Sequence, residues 1–351
     1  KITSDSPFAK GESEVIFPVL RGFLPPHLIP VTFLLFSLNF LVFIFTLEAN
    51  YEGDQKIESI LSDRSFVETQ GVAFAVMISR EPQASEFSTT LHRLAAKALG
   101  GDSSARRILG NLALRNATFM RDAETYDFGG DEVALNKWRA DFTELKSIQA
   151  NHPTYLWGLS RLKSDWIQYI SYQFSHSGFV HLFWNMVFLL IFGGFVETRL
   201  GGSFVILSYL GGGLLGAFAF SKLSGISSSP LVGASAAVSA LIALVGITWL
   251  KRGKLRFFYW LLPAQGYYGF VWLPSWLVLL VMLVPDLSGY LAAARDVGSV
   301  AYSAHLGGAA WGALMALALS CGLLRSEYEG KKEKRSENES PNDHDRFSKA
   351  S

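Results

Sequence analysis

Serine, histidine and asparagine stand in three apolar strings, His181-Leu-Phe-Trp-Asn185, Gly233-Ala-Ser-Ala236 and Ala304-His-Leu-Gly-Gly308. A serine hydroxyl becomes a nucleophile once a neighbouring base takes its proton, and histidine is the commonest such base. Ser235 and His305 supply those two groups. His181 and Asn185 are four residues apart, so they share one helix face and can both donate to the same developing oxyanion. Gly233 lets the chain turn tightly into the next segment, which leaves the Ser235 N–H at a helix start, where it faces negative charge. Polar groups in hydrocarbon are costly unless they are satisfied or used. The chemistry implied is hydrolysis by an activated serine inside a membrane. No acidic residue is read at a similar depth, so a Ser–His pair is expected rather than a triad.

These groups need helices that carry them to one depth. The 351 residues are half hydrophobic and only 17% charged, with 27 Phe and 9 Trp, against about a quarter charged in a soluble domain. The apolar excess is clustered into six expected spans, at about 29–47, 178–197, 203–222, 232–250, 270–291 and 299–323. Pro263, Pro274 and Pro285 interrupt the fifth. The first span has no small-residue cleavage site beside it and is expected to be retained rather than removed as a signal peptide. Lys10 and Arg21 precede span one, Arg199 ends span two, Lys251, Arg252, Lys254 and Arg256 follow span four, and Arg325, Lys331, Lys332, Lys334 and Arg335 follow span six. Basic residues mark the cytoplasmic side, so both termini are expected inside. Spans two, four and six then all run inward, and His181, Ser235 and His305 lie within about 5–10 Å of the outer ends of their helices.

Residues 1–28 read as a cytoplasmic segment, 48–177 as a long outward loop carrying a helical insertion, and 324–351 as a disordered cytoplasmic tail. Within the loop, stretches at about 84–108 and 120–150 carry apolar residues such as Leu91, Leu94 and Leu99 at helical spacing. They are expected to form a packed or membrane-surface helical unit. Tyr155-Leu-Trp-Gly158 and Trp166-Ile-Gln-Tyr169 have the aromatic character of an interface.

Several chemistries are set aside. A net charge of +1 offers no field for nucleic acid. Gly211-Gly-Gly213 lacks the Lys-Ser/Thr of a phosphate loop, and position 237 is Ala, which breaks the Gly-x-Ser-x-Gly elbow of soluble hydrolases. His-Glu-x-x-His is absent, and no metal or cofactor is expected. A solute transporter would carry inverted repeats around a midplane site, and no internal repeat is found. The single Cys321 is read as a packing residue, and His152 as solvated.

The strings together resemble the rhomboid intramembrane serine proteases. The likeness rests on His181-xxx-Asn185, the run Gly193-Gly-Phe-Val-Glu197-Thr-Arg199-Leu-Gly201, Gly233-x-Ser235-x and Ala304-His305-xx-Gly308, with Asn39 in the first span, over about 29–47 and 155–323. It implies an all-α, polytopic six-helix bundle of bacterial type, in the inner membrane, that cleaves transmembrane protein substrates amid membrane lipids. The resemblance implies that Ser235 is the nucleophile, His305 the base, and His181, Asn185 and the Ser235 amide the oxyanion hole. By the same likeness substrates pass between spans two and five, and Glu197 and Arg199 are architectural, pinning the first outward loop and the cytoplasmic turn. His176 stands at a position the family often fills with His, and is read as a cap of span two or an aid to the oxyanion site. Two departures stand out: Ala236 follows the serine where Gly is commonest, and Ser239 stands where a Tyr often packs against the base. Another group is therefore expected to hold His305. The alternative to a protease is a non-catalytic rhomboid-like protein that binds transmembrane clients.

Overall fold

The computed structural model describes residues 25–80, 89–160, 165–224, 228–249, 254–260, 268–293 and 301–323. The expected disordered tail, Lys10, Arg21, Lys251, Arg252 and Pro263 lie outside them. A polytopic helical membrane bundle is built from α1 (Pro30–Leu61), α9 (Phe179–Phe188) running through a π-turn into α10 (Gly194–Leu200), α11 (Gly202–Leu223), α12 (Ser235–Thr248), α13 (Ser275–Ala293) and α14 (Tyr302–Ser320). Among the described residues, three helical stretches are long and apolar enough to cross a membrane: Pro30–Leu61, Phe179–Leu200 and Gly202–Leu223. Ser235–Thr248 is apolar but shorter.

Small residues determine how closely the inner helices pack. A Cβ on Gly308 would lie 2.0 Å from the Ala236 carbonyl oxygen, and one on Gly312 would lie 2.1 Å from that of Ala240. The backbones of α12 and α14 therefore touch where a larger residue would hold them apart. A Cβ on Gly212 would lie 2.3 Å from the Ala240 Cβ, so α11 packs closely against α12. The buried residues of this core include Leu241, Ile242, Leu244 and Val245 from α12, with Phe192, Phe195 and Tyr209 around them. Asn39 is fully buried in α1 and is satisfied there, since its Nδ2 donates to the Leu35 carbonyl at 2.8 Å and to the Tyr209 hydroxyl at 2.9 Å.

The fifth span differs from expectation. Its first residues form a strand, β2 (Tyr268–Pro274), paired antiparallel with β1 (Lys254–Trp260) in the register Lys254↔Pro274 to Trp260↔Tyr268. Gly269-Phe-Val-Trp-Leu273 is rich in aromatic and branched residues that suit a strand. Pro274 lacks an N–H to extend the ladder, and the helix begins at Ser275.

The outward loop folds into α2 (Arg64–Arg80), α3 (Thr89–Leu99), α4 (Ser103–Ala113), α5 (Ala117–Asp122), α6 (Glu132–Asn151) and the short α7 (Pro153–Trp157), with the single turn α8 (Gln168–Ser171) near its end. These helices are packed rather than splayed on a surface. Phe74, Leu109, Phe119, Trp138, Phe142 and Leu145 form a core separate from that of the bundle. Asp102, Asn116 and Asp131 cap the starts of α4, α5 and α6 through their side-chain oxygens. Leu91 is buried in this unit, while Leu99 faces out.

His152 is not solvated: it is 4% exposed, its Nδ1 accepts from the Thr154 N–H at 3.2 Å, and its Nε2 lies 3.2 Å from Asp54. It caps α7 and ties the insertion to the top of α1. Cys321 does not pack, because α14 ends at Ser320 and the thiol at its C-cap is exposed.

Candidate active site

The segment before α12 explains how a serine can stand at the head of a buried helix. Fourteen residues of α12 span about 21 Å, short of the roughly 30 Å hydrocarbon layer. Irregular backbone therefore precedes it, and such backbone is tolerated at depth only where protein groups satisfy it. Leu231 exchanges two backbone hydrogen bonds with Leu159, at 2.8 and 3.0 Å, and the Gly233 N–H donates to the Tyr172 carbonyl at 2.9 Å. Gly233 has φ +103°, a left-handed conformation that glycine adopts at no steric cost. The turn delivers Ser235 as the first residue of α12. The first-turn N–H groups of a helix have no intrahelical acceptor, so the Ser235 amide is free to face an anion.

His305 comes from the first turn of α14. Its Nε2 lies 2.8 Å from Ser235 Oγ, within reach of proton transfer. The close approach of α12 to α14 at Gly308, one turn beyond His305, makes this distance possible. Its other ring nitrogen, Nδ1, lies 2.9 Å from Asp286 Oδ1 on α13. The three side chains form a line, carboxylate to imidazole to hydroxyl. The expectation that no acid lies at this depth is overturned: Asp286 lies inside the fifth span, and the turn of α13 that carries it faces α14. The sequence signal was present, since Asp286 is the one charged residue in the apolar run Ser275–Ala293, and ionisable residues within a span are by default candidates for function.

His181 and Asn185 lie on one face of α9, as the spacing predicts. A Cβ on Gly233 would lie 2.7 Å from His181 Nε2 and 3.5 Å from Asn185 Nδ2, so both side chains converge on the turn that leads to Ser235. Ser177 Oγ lies 3.2 Å from His181 Nδ1. With the hydroxyl as donor, an assignment made from the network, Nε2 carries the proton and can donate toward an oxyanion. His176 is fully buried and packs edge-on against His181, with ring centroids 5.2 Å apart. It does not cap α9, whose N-cap Gly178 makes no side-chain cap bond. Instead its Nε2 accepts from the Ala234 N–H at 3.4 Å and steadies the turn before the serine.

Glu197 and Arg199 are remote from this cluster, at the other end of the α9–α10 helix. Among the described residues, the partners of Glu197 lie at the start of α1 and not in the first outward loop. Its carboxylate accepts from the Val31 and Thr32 N–H groups at 2.8 and 2.7 Å and from the Thr32 hydroxyl at 2.6 Å, holding the start of α1. Arg199 lies over the Phe195 ring, 5.4 Å from its centroid. Ser239, one turn after Ser235, shares a small cavity with Asp286 and Ala309. The Asp286 carboxylate is the group that lies against the other side of the His305 ring. Ala236 is fully buried against α14.

Above Ser235 and His305 opens a cavity of about 400 Å³. Trp184, Asn185 and Phe188 of α9, Val238 of α12, Met282 of α13 and residues 229–232 form its walls. A family model described as Rhomboid domain matches residues 163–321. No curated protein sequence matches the chain. The matched stretch contains every residue of this cluster.

Proposed function

We propose that this chain, a member of the rhomboid family by its domain over residues 163–321, is an active intramembrane serine endopeptidase that cleaves transmembrane protein substrates near the outer face of a bacterial inner membrane. The observation that carries the reading is the 2.8 Å approach of Ser235 Oγ to His305 Nε2 at the floor of an open cavity. His305 takes the hydroxyl proton as Oγ bonds to the substrate carbonyl carbon. The oxyanion then accepts hydrogen bonds from the Ser235 N–H, His181 and Asn185. The C–N bond breaks as His305 returns the proton to the leaving amine, and water, deprotonated by the same base, releases the acyl group. A helical substrate hides its carbonyls in its own hydrogen bonds, so the scissile stretch must unwind, which favours Gly, Ala or Pro near the cut. Passage between α9 and α13 fits the cavity, which both helices border. The alternation of basic residues along the sequence supports cytoplasmic termini and an outward-opening site.

Purified protein treated with a fluorophosphonate probe, and separately with a model transmembrane substrate, tests the reading. Labelling and cleavage are expected in the wild type and absent in Ser235→Ala. Cleavage by Ser235→Ala at the wild-type rate overturns the assignment, and silence of the wild type with both reagents favours a client-binding rhomboid-like protein.

A further inference from the structure

We propose that Asp286 is a positioning residue for His305 and makes this site a Ser–His–Asp system; the inference rests on the serine-protease reading above. A histidine acts as a base toward serine only in the tautomer whose lone pair on Nε2 faces the hydroxyl. The Asp286 carboxylate can only accept, so at 2.9 Å it requires the proton on Nδ1. Nε2, 2.8 Å from Ser235 Oγ, is then the free acceptor. When the hydroxyl proton moves to Nε2 the ring becomes an imidazolium, and the carboxylate bonded to Nδ1–H stabilises that charge.

The surroundings argue against an incidental contact. The Asp286 side chain is 13% exposed, and Leu279, Met282 and Leu283 line the same cavity. A carboxylate in such surroundings is unfavourable unless a donor faces it, and His305 is that donor. Room for it comes from short side chains on the facing helices, Ser239 on α12 and Ala309 on α14. Ser239 of α12 lines the same cavity, and His305 of α14 bonds the carboxylate.

The test compares wild type, Ser235→Ala, Asp286→Asn and Asp286→Glu, all purified in detergent, by substrate cleavage, by fluorophosphonate labelling rate and by thermal unfolding. Asp286→Asn keeps the size and loses the charge. We expect kcat and labelling rate to fall together by roughly 10²–10⁴-fold, with KM and the unfolding temperature unchanged. Asp286→Glu, which keeps the carboxylate, is expected to recover at least part of that loss. Asp286→Asn activity close to wild type overturns the proposal. So does equal activity of the Asn and Glu variants at equally lowered unfolding temperature, because Asp286 would then only hold α13 to α14. If Ser235→Ala itself remains active, the protease reading fails, whatever Asp286 does.

Discussion

At the scale of single residues, the site depends on donors and on one turn. Asn185 Nδ2 donates to the His181 carbonyl at 3.0 Å, a normal helix-surface bond that, in the protease reading, it exchanges for an oxyanion. Asn185→Ala removes that donor, and the loss should raise the barrier by about 2–4 kcal/mol. Steady-state cleavage of a transmembrane substrate measures it, and a wild-type kcat would remove Asn185 from the hole. Gly233→Ala should be harsher. Its φ of +103° is strained for any L side chain, and the new Cβ would lie 2.5 Å from His181 Cε1. We expect it to lose cleavage and to lower the unfolding temperature together. Normal cleavage by this variant would mean that the turn can relax without disturbing His181.

At the scale of elements, the Ser235–His305 contact is set by how closely two helices approach. Ser235 and His305 belong to α12 and α14, and their separation depends on Gly308 lying against the Ala236 carbonyl. Gly308→Ala would force the two backbones apart, because the obstacle is main chain and cannot rotate away. Overpacking of this kind costs about 1–3 kcal/mol, and a misplacement of about 1 Å can cost about 10²-fold in rate. A drop of that order in fluorophosphonate labelling is expected, and full labelling would show that α14 shifts without moving His305. The periodicity of the strings was enough to put His181 with Asn185 on one face and to place the serine at a helix start. It did not reveal Asp286, because an acid six residues beyond the middle of a Pro-interrupted span gives no sign of which way its turn faces. The contact between α13 and α14 decides that.

At the scale of the whole molecule, two cores are coupled next to the site. The Ser228 N–H donates to the Arg115 carbonyl of the insertion at 2.9 Å, and Ser228 Oγ bonds the Leu114 carbonyl. The next residues, 229–232, wall the cavity over Ser235. The insertion therefore supports one side of the place where a substrate would lie. Phe142→Ala, in the centre of its core, should destabilise that unit by about 3–5 kcal/mol. Cleavage of a transmembrane substrate is expected to fall more than labelling by the small probe, since the wall is loosened while the Ser235–His305 contact is left alone. Equal loss of both would sink this coupling. In the two aromatic strings that flank residues 161–164, Trp157 is 47% and Trp166 75% exposed.

The order of apolar segments and the shared face of His181 and Asn185 were properties of the chain alone, because helical rise and period fix them before any packing occurs. The environment of each group was not. His152 was buried by α1, Glu197 was turned to the start of α1, and Asp286 was brought to His305, each by contacts between residues 19 to 166 positions apart. Such pairings follow from which helices touch and at what rotation, and the small residues of α12 and α14 set that only once the bundle has closed.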